Sequence, residues 1–154
     1  MIFCLSILAY AQTPQDRATE LKKQAQSSLN QKDYIKARYL FKKAYEAFAS
    51  RENYPQAIEC GVQANALYVR ENFYKEGFEL CRDMEQLLWT GEQNKKKVFY
   101  DLRFLINKER LQMYTALKNP AQAKIQLDKL EEMANLAKND SLTEVLLYTK
   151  ANYY

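Results

Sequence analysis

The sequence contains no histidine, only three glycines (Gly61, Gly77, Gly91) and only three prolines (Pro14, Pro55, Pro120) in 154 residues. The missing histidine removes the commonest general base and the commonest metal ligand. With so few breakers the chain runs in long stretches of Ala, Leu, Lys, Glu and Gln, which helices prefer, and almost no strand is expected. There is no phosphate-cradling glycine loop and no metal-ligand spacing, and Cys60 has no histidine to activate it. The chain is therefore expected not to be an enzyme, and no cofactor is implied. Glu109, Asp128, Glu131 and Glu132 stand on helical stretches with lysines nearby and read as solvated faces. Charge of one sign is lacking too: 23 Lys and Arg against 19 Asp and Glu leave a net charge of +4. The two signs are interspersed except at Lys95, Lys96 and Lys97, which argues against a nucleic-acid partner.

Residues 1–11, "MIFCLSILAYA", contain no charge and differ from everything after them. An apolar run from Ile2 to Ala9 followed by Ala9-Tyr10-Ala11 has the form of a signal-peptide core and an A-x-A cleavage site, with cleavage expected before Gln12. The alternative is an apolar segment packed on the first helix. The basic segment that should open a signal peptide is missing, so the true start is expected upstream. A run this short cannot span the ~30 Å of a bilayer core. Membrane contact is expected only through this peptide or a downstream anchor.

What is present is a repeat. Ala25, Asn65 and Leu111 are each followed twelve residues later by Ala37, Gly77 and Ala123, and each second position opens an apolar helix face: Phe41 and Ala44, Cys81 and Met84, Leu127 and Leu130. Turn signals lie between, at Lys32-Asp33-Tyr34, Asn72-Phe73-Tyr74 and Asn119-Pro120. Residues 12–154 are thus expected to be all-α, with about seven helices at roughly 15–30, 34–50, 54–71, 74–90, 95–118, 120–138 and 142–154. The hairpins are 15–50, 54–90 and 95–138, with 142–154 the first helix of a fourth. Asn53 and Asn119 are expected caps, with Asp140 or Ser141 capping the last helix. The last helix carries Leu142, Leu146, Leu147 and Tyr154, a face expected to want a further partner.

These residues resemble the tetratricopeptide repeat (TPR) family, whose second helices carry Tyr-x-x-Ala-x-x-x-Phe-x-x-Ala. Tyr34, Ala37, Phe41 and Ala44 match in full. Ala64, Asn65 and Tyr68 with Gly77, Tyr114 with Ala123, and Leu147, Ala151 and Tyr154 match in part. The repeat interval of 40 and then 46 departs from the family's 34, as does Leu111 where a small residue is usual. The resemblance implies an α-solenoid with a concave surface, packed through these positions and Met84 and Leu127. The twelve tyrosines fit core spacing, and Tyr39, Tyr45, Tyr68, Tyr100 and Tyr114 are expected to bury their rings between helices.

The resemblance also implies a peptide laid along the inner helices, against Lys22, Gln26, Val62, Ala66, Arg70, Lys108 and Gln112. Gln63, Leu105 and Glu109 stand where relatives that clamp a terminal carboxylate have an amide and cations, so that specificity is not implied. The expected partner is a protein, a peptide or another domain of the same protein. The wider context implied is the exported sensor or scaffold region of a bacterial membrane-anchored signalling protein, or a free periplasmic scaffold. Export would leave Cys60 and Cys81 in an oxidising compartment. They lie at nearly one height in an antiparallel hairpin, where a disulfide and two buried thiols both remain open.

Overall fold

The structure, a computed structural model, describes residues 13–154; the signal-peptide reading of 1–11 lies outside them. Seven α-helices and no strand occur among the described residues: α1 (Pro14–Asn30), α2 (Tyr34–Ala49), α3 (Tyr54–Arg70), α4 (Tyr74–Lys95), α5 (Tyr100–Ala116), α6 (Pro120–Ala137) and α7 (Asp140–Tyr153). Each helix packs on the next, and α3 also packs on α5. This is an all-α solenoid of antiparallel hairpins, α1–α2, α3–α4 and α5–α6, followed by α7.

One turn recurs along the chain. Lys32, Glu52, Asn72 and Lys118 adopt left-handed backbone, with φ of 62°, 55°, 62° and 53°. At each, the N–H donates to the carbonyl three residues back, and the next N–H donates to the carbonyl five back. This is the Schellman arrangement, which satisfies carbonyls that a helix end leaves open. Glycine usually takes the left-handed position, and none of these turns uses it. The next helix then starts on a cap: Asp33, Asn53 and Asn119 accept from the N–H of Lys36, Gln56 and Gln122 at 3.2, 3.4 and 3.1 Å. The expected caps Asn53 and Asn119 are thus in place. The last helix is capped by Asn139, which accepts from Ser141 N–H at 3.0 Å, and not by Asp140 or Ser141, because α7 begins two residues earlier than expected.

The largest departures from the expected boundaries meet at one junction: α4 continues through Gly91 to Lys95, and α5 starts at Tyr100 and not at 95. Gly91 reads as a stop, yet it is a contact: a Cβ there would lie 2.5 Å from Cζ of Tyr54, the first residue of α3. The left-handed end comes at Lys96 (φ 50°). Phe99, at the start of α5, has no side-chain cap. Glu92 supplies one from the preceding helix by accepting the Phe99 N–H at 2.9 Å while it pairs with Arg103. The change of repeat interval has the same origin. Helices α1 and α3 are both 17 residues, but α4 has 22 where α2 has 16, and those six residues turn an interval of 40 into 46.

Two apolar cores result. The larger joins α1 to α5 through residues such as Ala25, Ala37, Phe41, Ala44, Ile58, Met84 and Leu88. The smaller joins α5, α6 and α7 through Phe104, Leu111, Ala123, Leu127, Leu130, Ala134 and Leu146. Helix α5 serves both, offering Leu102, Ile106 and Met113 to one and Phe104 and Leu111 to the other. The expected packing positions Ala25, Ala37, Phe41, Ala44, Asn65, Gly77, Met84, Ala123 and Leu127 are buried, and Tyr34, Tyr68 and Tyr114 are half-buried. Ala151 is exposed, because α7 turns Leu142, Val145, Leu146 and Tyr153 inward and leaves Leu147 and Ala151 outside. Tyr39 is a second correction: it is 61 % exposed, lying along the outer face of α2 with Lys43 Nζ over its ring. Cys60 and Cys81 are free and buried, so of the two alternatives the structure shows thiols. Burial pushes both up to about 12, which keeps them neutral and unreactive.

Candidate functional site

Of the seven expected groove residues, Lys22 and Gln26 line one hollow and Lys108 and Gln112 line a larger cleft. Lys22 spans from α1 to α3, donating to Gln56 Oε1 at 2.9 Å and pairing with Glu59 at 2.7 Å. With Gln26, Lys23, Thr19, Phe48 and Gln56 it lines a hollow of about 450 Å³. Val62 is half-buried against the larger core, Ala66 is exposed, and Arg70 lies 4.0 Å above the ring of Tyr34 at the far end of α3. These three line neither this hollow nor the larger cleft described next.

Lys108 and Gln112 enter that larger cleft, a space of about 710 Å³ between α5 and α7. Helix α6 packs against both walls. One wall adds Leu111, Thr115 and Ala116; the other presents Glu144, Val145, Tyr148, Thr149, Asn152 and Tyr153. Its size falls in the range of roughly 300–1,000 Å³ typical of ligand clefts. The hydroxyls of Thr115 and Thr149 are spent within their own helices, donating to the carbonyls of Leu111 and Val145 at 2.8 and 2.7 Å. Asn152 Nδ2 donates to Tyr148 O at 2.9 Å, and its Oδ1 is left to accept. Lys108, Gln112 and Glu144 make no hydrogen bond or ion pair with the protein among the described residues. The cleft therefore has an apolar lining, one cation, one carboxylate and amides able to bond a peptide backbone.

The α7 wall escaped the sequence reading, which drew its groove from α1, α3 and α5. A signal existed: Glu144, Tyr148 and Asn152 recur every four residues and share one helix face. Tyr148, 74 % exposed, is the largest apolar surface on that wall.

Of the carboxylates expected on solvated faces, Asp128, Glu131 and Glu132 are exposed, whereas Glu109 is buried in the seam between α3 and α5. Its Oε2 accepts from Asn65 Nδ2 at 3.0 Å. Burial raises its pKa, with the Asn65 bond and Lys108 acting in the opposite sense. Among the described residues no three Cys, Asp or Glu side chains are grouped to hold a metal ion, and no helix is long and apolar enough to cross a membrane.

Fold and cleft together define an all-α hairpin solenoid with an interhelical groove. Comparison with known protein families, with curated proteins and with solved structures gives no match.

Proposed function

We propose that the chain is a protein-interaction module of TPR type that holds a short extended peptide in the cleft between α5 and α7. The observation that carries this reading is the cleft itself: about 710 Å³ of mainly apolar space edged by Lys108, Gln112, Glu144 and Asn152, groups suited to a peptide backbone and its charges. The Tyr34, Ala37, Phe41 and Ala44 signature supports the family resemblance, and recurrent Schellman turns support a repeat. The partner in this reading is protein, not nucleic acid.

Export belongs to the same proposal. It rests on the apolar residues 1–11 and the Ala9-Tyr10-Ala11 site, and it makes the chain the extracytoplasmic sensor or scaffold region of a membrane-anchored signalling protein. Mass spectrometry of the protein expressed from its upstream start with an active export pathway tests it; a product beginning at Gln12 is expected, and a product that retains residues 1–11 refutes it.

The cleft is tested by selecting a displayed random-peptide library on the chain. Enriched peptides are expected to lose at least about tenfold in affinity on Tyr148→Ala, as a central aromatic anchor should. They should also fail on Val145→Arg, with helicity unchanged by circular dichroism. Peptides that bind all three proteins equally, or no enrichment, refute the proposal.

A further inference from the structure

Glu109 and Asn65 meet across the seam that joins the second hairpin to the third. Both are buried, at 4 % and 0 % exposure, and they share the 3.0 Å bond from Asn65 Nδ2 to Glu109 Oε2. None of the ion pairs among the described residues includes Glu109. A carboxylate with so little access to water and without a cation is disfavoured. The other end of the amide has the complementary defect: Asn65 Oδ1 is buried and receives no hydrogen bond. Buried acceptors rarely go unpaired. Helix α4 offers it no donor side chain at its closest approach, since Gly77 stands there and a Cβ at that position would lie 3.1 Å from Oδ1.

One proton resolves both defects. A carboxylic acid facing a carboxamide accepts from its NH₂ and donates from its OH to the amide oxygen, closing a cyclic pair of hydrogen bonds. We propose that Glu109 is stored in the folded solenoid as a neutral acid doubly hydrogen-bonded to Asn65, and that this pair makes the α3–α5 seam a proton-sensitive joint.

The surrounding charges leave this reading intact. From α4, Cys81 faces Glu109 as a neutral thiol, and Glu85 is engaged by Arg110, whose Nη2 donates to it at 2.8 Å. From α5, Arg110 is committed to that pair, and Lys108 is the neighbouring cation acting against protonation, alongside the Asn65 bond. From α3 the contact is the Asn65 amide. Burial outweighs them and holds the Glu109 carboxyl above its ordinary 4.5. The folded state then binds this proton more tightly than the unfolded chain. Its contribution to stability is complete below about pH 4.5 and is lost as pH rises through the higher folded value. The joint is tight in acid and loosens toward alkaline pH.

The decisive measurement is a carbon-13 NMR titration of the glutamate side-chain carboxyls between about pH 4 and pH 9. The Glu109 signal is to be assigned through its own backbone and by its disappearance in Glu109→Gln. It is expected to titrate above every other glutamate; titration with the others or below them overturns the proposal. Glu109→Gln gives a second readout, because its amide offers Asn65 the same donor and acceptor without ionising. The variant is expected to melt at or above the wild-type temperature at about pH 8, with the difference shrinking at about pH 5. A deficit of equal size at both pH values, or a variant that does not fold, overturns the pairing.

Discussion

Replacing Gly91 with alanine should destabilise the protein, although the same change inside a helix ordinarily helps by about 1 kcal/mol. The added Cβ would lie 2.5 Å from Cζ of Tyr54 and 2.8 Å from both Cε atoms. Ordinary carbon contacts begin near 3.5 Å, so the ring must retreat by about 1 Å. It has little room, being 3 % exposed and packed at a tilt, centroids 5.5 Å apart, against Phe99, whose N–H is held by Glu92. Overpacking of this kind costs about 1–3 kcal/mol. Subtracting the propensity gain leaves a net loss of up to about 2 kcal/mol. For a chain of this size that lowers the melting temperature by up to about 8 °C, readable by circular dichroism at 222 nm. The same substitution in a Tyr54→Leu background removes the obstacle, and alanine should then become neutral or stabilising. A double-mutant cycle isolates the coupling. Stabilisation by Gly91→Ala alone, or an equal cost in both backgrounds, would refute the packing argument.

Glu92 and the two thiols give further tests. Glu92→Ala removes both the partner of the Arg103 guanidinium and the acceptor for the Phe99 N–H, and should cost about 2–3 kcal/mol in urea unfolding at pH 7. The Arg103 hydrogen bond, and after it the Phe99 N–H, hold Glu92 below its ordinary 4.5. Its contribution is therefore present above that pH and lost as pH falls through the lower folded value, so the variant and the wild type should converge in acid; a gap that persists unchanged at low pH counts against the pair. In a Cys4→Ser variant, Cys60 and Cys81 should resist Ellman's reagent at pH 8 while folded and yield two thiols per chain in urea without reductant. No thiols released would mean a disulfide.

Helix boundaries at the repeated turns were legible because local chemistry dictates them: Asp33, Asn53 and Asn119 cap the next helix, and Pro55 and Pro120 sit where a missing N–H costs nothing. The end of α4 was not, since the contact that keeps Gly91 helical comes from Tyr54, 37 positions earlier, and the cap on Phe99 comes from another helix. The same distinction runs through the site. Lys108 and Gln112 could be placed from the pattern of inner helices, but a cleft exists only where two walls stand apart, and the α7 wall follows from how α6 seats both. Glu109 was misread for a related reason. A glutamate beside a lysine on an amphipathic helix normally faces water, but α5 packs on two sides, so its polar stripe is narrower than the pattern implies.

The extra length of α4 works as a spacer that couples sliding to turning. Each residue in a helix advances the chain by about 1.5 Å and rotates it by about 100°, so six residues carry the start of α5 about 9 Å further and leave a residual rotation of about 240°. Because α3 and α5 have the same length of 17 residues, the third hairpin is offset as a unit and not enlarged. A different side of α4 thereby meets α5 than a strict copy of the first hairpin would present. The spacer also limits how such a stack can vary. Lengthening α4 by about one whole turn would slide the cleft-bearing hairpin while keeping its facing, whereas adding one or two residues would swing the cleft to another side of the solenoid.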